Sequence, residues 1–252
     1  MLASMVLAAT LAPNVVAPKV VGHFVEYKSA DGTVLEGYAA YDEAKEGKRP
    51  LVLIVHDWNG LDGYEEGRAR QLAELGYVGL AVDIFGKGVR PTGAERGTLT
   101  GKYRNDVPLF RERLKAAFDA GTAMPQVDAS RVGAIGYCFG GGGVLEMGRM
   151  GLPVKALVTF HGSVGPNPDD KAITGETLVL HGDADPAVPP AQVRAFETEM
   201  KGLGKPVRVV MYPGARHSFT VPPTGGDTGK DYDADADKKS FAEMREFLAK
   251  AL

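Results

Sequence analysis

The sequence predicts an α/β domain with a mainly parallel central sheet covered by helices on both faces. Two observations carry the prediction. Short, β-branched apolar runs recur along the chain, such as residues 51–55 (Leu-Val-Leu-Ile-Val), and an uninterrupted apolar run is the mark of a strand buried on both faces. Segments with helical spacing alternate with these runs, as crossover helices do between parallel strands. There is no internal repeat and no linker between two composition regimes, so a single domain accounts for residues 19–252.

The elements follow in order. Residues 19–28 alternate between apolar and polar, Asp31-Gly32 is a turn signal, and residues 33–41 alternate again, so a β-hairpin opens the domain. After a loop at 47–50 comes the central strand 51–55. Residues 64–75 have helical spacing through Ala69, Leu72 and Ala73 and end at Gly76, a helix-terminating glycine. Residues 77–82 are the next strand. Residues 86–101, rich in Gly, Pro and Thr, read as a loop. Residues 105–121 form a helix with Leu109, Leu114, Ala117 and Phe118 on one face. Further strands are expected at 131–135, 155–160, 177–181 and 207–212, with a helix over 190–203. The closing helix, 237–252, turns Phe241, Met244, Phe247 and Leu248 inward.

Composition narrows the function. Of 252 residues, 44% are apolar and 24% charged, with a net charge of −3 and no basic block, which argues against a nucleic-acid partner. The single cysteine excludes an intramolecular disulfide and a cysteine-rich metal site. Residues 1–12 are apolar like the core of a secretory signal, but no Lys or Arg precedes them; the first basic residue is Lys19. The run is too short to span a bilayer. Residues 1–18 are therefore an apolar leader or a packed segment. The cytoplasm is favoured, with secretion or the periplasm left open, and a monomer or homodimer is expected.

The single cysteine lies in the most informative stretch, Gly136-Tyr137-Cys138-Phe139-Gly140-Gly141, between the 131–135 strand and a helix-like segment at 143–147. Strand, glycine, nucleophile, glycine, helix is the pattern of a nucleophile elbow, with cysteine where serine is usual. A buried cysteine at a helix start does not need so many glycines. The elbow also places Cys138 at a helix N-terminus, where unpaired N–H groups favour a negative charge. A cysteine nucleophile needs a base and a group that orients the base. An α/β-hydrolase supplies them in the order nucleophile, acid, histidine, each after a strand. Asp185 follows the 177–181 strand and His217 follows the 207–212 strand. Asp183 competes with Asp185, since either aspartate could form a turn.

These stretches, with Gly182-Asp183-Ala184-Asp185-Pro186 and Gly214-Ala215-Arg216-His217-Ser218-Phe219, resemble the dienelactone hydrolase family of the α/β-hydrolase fold. The resemblance runs from about residue 20 to the end. Val55-His56-Asp57-Trp58-Asn59-Gly60-Leu61 matches the family's oxyanion-hole loop. This implies backbone N–H donors at Trp58 and Phe139, and places Asp57 where the family's best-known members carry a glutamate that contacts the resting cysteine. Family members that open dienelactone hold the substrate carboxylate with two arginines and a serine. Ser218 matches the serine, Val221 stands where one arginine would be, and Lys87 lies near the other. Arg90 and Arg216 are the arginines that could compensate. His161, after the 155–160 strand, could line the same pocket, as could His56.

The resemblance implies hydrolysis of a small-molecule ester or lactone through Cys138, Asp185 and His217, with a covalent acyl-thioester and no cofactor. A non-catalytic or redox-responsive binding protein that keeps the elbow cysteine is the alternative from another class. A peptidase or dehalogenase on the same fold is a further alternative. The series Asp231, Asp233, Asp235, Asp237 lacks the glycine and glutamate of a calcium loop, so no metal is expected. These aspartates fit better before and at the start of the closing helix, facing its positive end.

Overall fold

Apolar side chains that alternate along each strand must be covered on both sides, and the chain provides helices for both. The computed structural model describes residues 17–223 and 229–252; most of the expected leader lies outside the described residues. The strands are β1 (Val20–Lys28), β2 (Val34–Asp42), β3 (Arg49–Val55), β4 (Val78–Val82), β5 (Val127–Tyr137), β6 (Ala156–Phe160), β7 (Glu176–Gly182) and β8 (Val207–Tyr212). The helices are α1 (Gly63–Glu74), α2 (Glu95–Asn105), α3 (Val107–Thr122), α4 (Phe139–Arg149), α5 (Pro190–Gly202) and α6 (Ala234–Ala251). The strands form one sheet in the order β1-β2-β4-β3-β5-β6-β7-β8. The β1–β2 hairpin and the β2–β4 pairing are antiparallel, and every other pairing is parallel. This is the α/β-hydrolase architecture.

β3 shows how the core divides. Leu51, Leu53 and Val55 enter one apolar layer, and Val52 and Ile54 enter the other, as the period of two requires. The first layer is closed by Tyr103 of α2, Phe110 and Leu114 of α3, Val144 and Met147 of α4, and Val193 and Phe196 of α5. The second is closed by Ala69, Leu72 and Ala73 of α1 and Met244 and Leu248 of α6. Arg68 of α1 and Asp237 of α6 form a largely buried ion pair at 2.6 Å, which joins the two helices of that layer.

The parallel strands end at the same edge of the sheet, so the loops after β3, β5, β6, β7 and β8 converge there, the usual ligand side of such a sheet. Among the described residues no helix is long and apolar enough to cross a membrane.

One expectation fails. Residues 95–105, inside the stretch read mostly as loop, form helix α2. Its N-cap, Ala94, makes no side-chain bond, Gly97 and Gly101 lie within it, and it buries only Thr100 and Tyr103. Glycines weaken a helix and two buried positions make no stripe, so tertiary contacts hold what local preference does not. The ring of Tyr103 stacks on Phe85 and leans on Phe110 and Phe139. The next helix starts two residues later than expected, at Val107, where the Asp106 carboxylate accepts from Leu109 N at 3.1 Å. The closing helix starts three residues earlier, at Ala234, because Asp233 caps it through the N–H groups of Asp235 and Ala236.

The glycines divide into those the fold needs and those it tolerates. A Cβ at Gly140 would lie 2.1 Å from the Val55 carbonyl oxygen and 2.5 Å from that of His56. A Cβ at Gly97, on exposed α2, would meet nothing within 4 Å. Gly140→Ala is expected to lower stability by about 2–3 kcal/mol or more through backbone displacement, and Gly97→Ala to raise it by about 0.5–1 kcal/mol. Urea unfolding of the two variants beside the parent checks both signs.

Candidate active site

Cys138 follows β5 and caps α4 with a backbone no side chain adopts freely: φ is 51° and ψ −112°. Three hydrogen bonds hold this turn. Cys138 N donates to Phe160 O at 3.1 Å, and the Cys138 carbonyl accepts from Gly141 N at 3.1 Å and Ser163 N at 3.3 Å. The turn also needs Gly136, whose Cβ would fall 2.2 Å from the Gly140 carbonyl oxygen. Cys138 is 9% exposed.

His217 sits on the loop after β8. Its Nε2 lies 3.1 Å from Cys138 Sγ, and its Nδ1 lies 2.8 Å from Asp185 Oδ2. Asp185 is buried on the loop after β7. Its other oxygen, Oδ1, accepts from Ala187 N at 2.8 Å and Val188 N at 3.0 Å. Asp183, the competing aspartate, accepts from Gly214 N at 2.6 Å instead.

The charges are coupled. Burial disfavours an imidazolium at His217, but its hydrogen bonds to Asp185 and Cys138 outweigh burial and push its pKa up to about 10. Burial of Asp185 opposes its ionisation, and the bonds from His217 and from the Val188 and Ala187 N–H groups reverse this, holding the carboxyl below its usual range. Two more histidines stand nearby. His181 lies with Nε2 at 2.9 Å from Val188 O and 3.5 Å from Asp185 Oδ2. His161 is fully buried, with Nε2 at 2.8 Å from Thr220 Oγ1 and its ring edge-on to His217 at 5.4 Å between centroids. Burial pushes both below the ordinary histidine range.

The remaining expected residues divide. Phe139 is buried at the first position of α4, stacked on Phe110 at 4.8 Å. Its N–H is among those at a helix start that have no intrahelical acceptor. Trp58 carries a half-exposed side chain, and among the described residues its N–H donates no hydrogen bond. Asp57 does not turn to Cys138. Its oxygens accept from Asn59 N at 2.7 Å and Asn59 Nδ2 at 2.9 Å, a local closure its short side chain favours. Burial pushes its pKa up to about 7.

Lys87 is paired with Glu26 and Glu36 on the β1–β2 hairpin, so its charge is already neutralised there. Ser218, partly buried at φ 62°, accepts Val221 N through its carbonyl, and Val221 is buried. His161 has no exposed surface with which to line a pocket. His56 is likewise internal, bonded to Asp57 O and Ile84 N. Arg90 bonds its neighbour's carbonyl and Arg216 pairs with Asp231.

Two residues of α2 stand at the site: Arg96, within the stretch that reads as a loop, and Arg104, between that stretch and the helix expected from 105. The Arg96 guanidinium lies over the Trp58 ring at 5.5 Å. Arg104 lies over the Phe139 ring at 5.8 Å and reaches Ser163 Oγ at 3.4 Å. Among the described residues neither forms an ion pair. The expected acidic series is used structurally: Asp231 holds Arg216, Asp233 caps α6, Asp235 pairs with Lys239 and Asp237 with Arg68.

Residues 35–252 match the model of the dienelactone hydrolase family. The chain belongs to that family. It is a dienelactone hydrolase-like hydrolase, and the family acts on lactone and ester substrates. Its backbone is similar to a dienelactone hydrolase-like promiscuous phosphotriesterase from metagenomic libraries, at 35% identity and a TM-score of 0.87 over 92% of this chain and 98% of that one. A second solved structure, m3DLH, is 32% identical with the same TM-score over 92% and 99%. A candidate carboxymethylenebutenolidase of Methylorubrum extorquens is 29% identical over 208 residues, 77% of this chain and 71% of that protein.

The raised His217 pKa makes a signed prediction. A group whose pKa rises on folding adds stability that is complete below its unfolded value, near 6.5, and is lost as pH climbs through about 10. The destabilisation caused by Asp185→Asn should therefore be largest at pH 6 and shrink by pH 10, as read from urea midpoints across that range.

Proposed function

We propose that this hydrolase cleaves an ester or lactone through Cys138, His217 and Asp185 and a covalent acyl-thioester. The observation that carries the reading is the line of two contacts through one imidazole, 3.1 Å to the thiol and 2.8 Å to a buried carboxylate. In that line His217 accepts the Cys138 proton, and Asp185 holds the ring with Nδ1–H toward the carboxylate. The sulfur forms a bond to the acyl carbon as the carbonyl π electrons move to oxygen. The backbone N–H groups of Trp58 and Phe139 would receive that oxyanion, each such donor being worth about 3 kcal/mol in the transition state.

Collapse expels the alkoxide, which takes the proton from His217. A water then gives a proton to His217 as its oxygen bonds to the thioester carbon. The second collapse releases the acid, and Sγ regains its proton. In a lactone the alkoxide and the acid are the two ends of one product. Asp57, bonded to Asn59, would shape the loop that presents the Trp58 N–H.

Arg96 and Arg104 bear on the substrate. Two guanidiniums without carboxylate partners among the described residues, over the rings of the residues assigned to the oxyanion, would favour an ester or lactone that carries a negative charge. A panel of neutral and acidic esters and lactones, with an aryl phosphotriester included because of the similar phosphotriesterase, tests the reading. Cys138→Ala should retain its fold and lose at least about 10³-fold in turnover, and mass spectrometry should find an acyl adduct on Cys138 in the parent. Unchanged turnover in Cys138→Ala would overturn the mechanism. Absence of hydrolysis across the panel, with ligand protection of Cys138 from alkylation, would favour a binding protein instead. Arg96→Ala with Arg104→Ala should raise KM about 10-fold for acidic substrates, by loss of charge-assisted contacts, and leave neutral ones within about 2-fold.

A further inference from the structure

His161 is buried against the proposed base, and the mechanism above gives it no part. Its contacts suit a neutral ring. Arg68 can only donate, so Tyr64 Oη accepts from Arg68 Nη2, at 3.2 Å. The Tyr64 hydroxyl proton then points to Thr220 Oγ1, at 2.8 Å. With that orientation the Thr220 proton faces His161 Nε2, also at 2.8 Å. One proton assignment that satisfies every contact runs from a guanidinium fixed by Asp237 to a neutral imidazole that accepts at Nε2 and carries its proton on Nδ1. His161 Nδ1 is buried without a hydrogen-bond partner.

Thr220 lies three residues after His217 on the same loop, while His161 ends β6 at φ 40°, with its N–H on Leu180 O. The His161–Thr220 bond therefore ties the loop of the base to the sheet. The ring of His161 meets the His217 ring edge-on at 66°, and Phe219 packs against it from the same loop at 5.3 Å.

We propose that His161 is a positioning residue for His217: a neutral imidazole, oriented through Arg68, Tyr64 and Thr220, that braces the His217 ring in line between Asp185 and Cys138. The proposal rests on the hydrolase reading for its effect on turnover, but its effect on the thiol–imidazole pair is independent of any substrate. His161 faces His217, Thr220 and Phe219 on the loop after β8 and Tyr137 on β5. Asp185 and His181, at the end of β7, are the nearby groups whose charge acts on it. A neutral brace leaves the Asp185 charge to His217; a charged one would repel the imidazolium it supports.

His161→Phe keeps a ring in place and removes the acceptor for Thr220. Thr220→Val keeps the shape of the loop and removes the donor. Two measurements serve both variants: kcat and KM on 4-nitrophenyl acetate, and the rate of Cys138 alkylation by iodoacetamide from pH 4 to 10. We expect kcat to fall about 10- to 100-fold with KM within about 2-fold, the cost of a displaced base. The acid limb of alkylation should move up by about one pH unit as the imidazolium is held less well. Thr220→Val should move both in the same direction by less.

Parental kcat and an unmoved alkylation profile in both variants would overturn the proposal. So would a raised KM with an unmoved profile, which would make His161 part of the pocket wall. If His161→Phe does not fold, Thr220→Val decides by the same two readouts. If the parent hydrolyses nothing, the hydrolase reading falls and the alkylation profile still decides the part played by His161.

Discussion

The site depends on one strained residue. Holding a non-glycine backbone at φ 51°, ψ −112° costs on the order of 1–3 kcal/mol, and the surroundings must overdetermine it. They do so chiefly with backbone contacts, joined by the Thr159 hydroxyl beside Gly141 and Gly162. The Gly140 Cα sits where a Cβ would strike the carbonyls at the end of β3, and Gly136 sits where one would strike Gly140. Gly141 and Gly162 approach each other in the same way, since a Cβ on Gly141 would lie 2.6 Å from Gly162 Cα. The elbow is therefore pressed between the loops that follow β3 and β6. That pressing puts Cys138 at the mouth of α4, brings the Trp58 loop near Phe139, and sets His161 at the edge of the base. A bulkier residue at any of these glycines would separate elements, not just crowd a side chain.

What could be read from the sequence follows the same physics. The parallel strands were legible because a strand buried on both faces admits almost no polar residue, and β3 to β7 obey that rule to within a few residues at each end, while β8 at the sheet edge keeps the apolar run but carries the exposed Arg208. The elbow was legible because close backbone approach demands glycine, and Gly136 with Gly140 to Gly143 around a lone cysteine have no other economical cause. Helix α2 was not legible, because it is held by Tyr103 in an aromatic cluster and shows no apolar period of its own. Arg96 lies inside the 86–101 stretch that reads as a loop and Arg104 between that stretch and the helix expected from 105, and only α2 places them over Trp58 and Phe139. Arg68, Tyr64, Thr220 and His161 come from elements far apart in sequence, and no local pattern marks a hydrogen-bond chain of that kind. The pairing of Lys87 was not legible either, because a position near a family arginine says nothing about Glu26 and Glu36 on the neighbouring hairpin.

Three histidines around one aspartate raise the question of which carries the charge, and the hydrogen bonds answer it. Asp185 Oδ1 is occupied by two backbone N–H groups, which fix the carboxylate plane and leave Oδ2 as the free acceptor. His217 meets Oδ2 at 2.8 Å; His181 stands at 3.5 Å and has a closer acceptor in Val188 O. His161 is turned toward Thr220. Burial disfavours charge on all three rings, so charge settles where hydrogen bonds offset burial, and only His217 has both a carboxylate and a thiol as partners. The neutral pair is as much a part of this as the charged one. A second imidazolium beside Asp185 would divide its field and weaken the hold on His217. Keeping His161 and His181 dry and hydrogen-bonded as neutral rings concentrates that field on the one imidazole that touches sulfur.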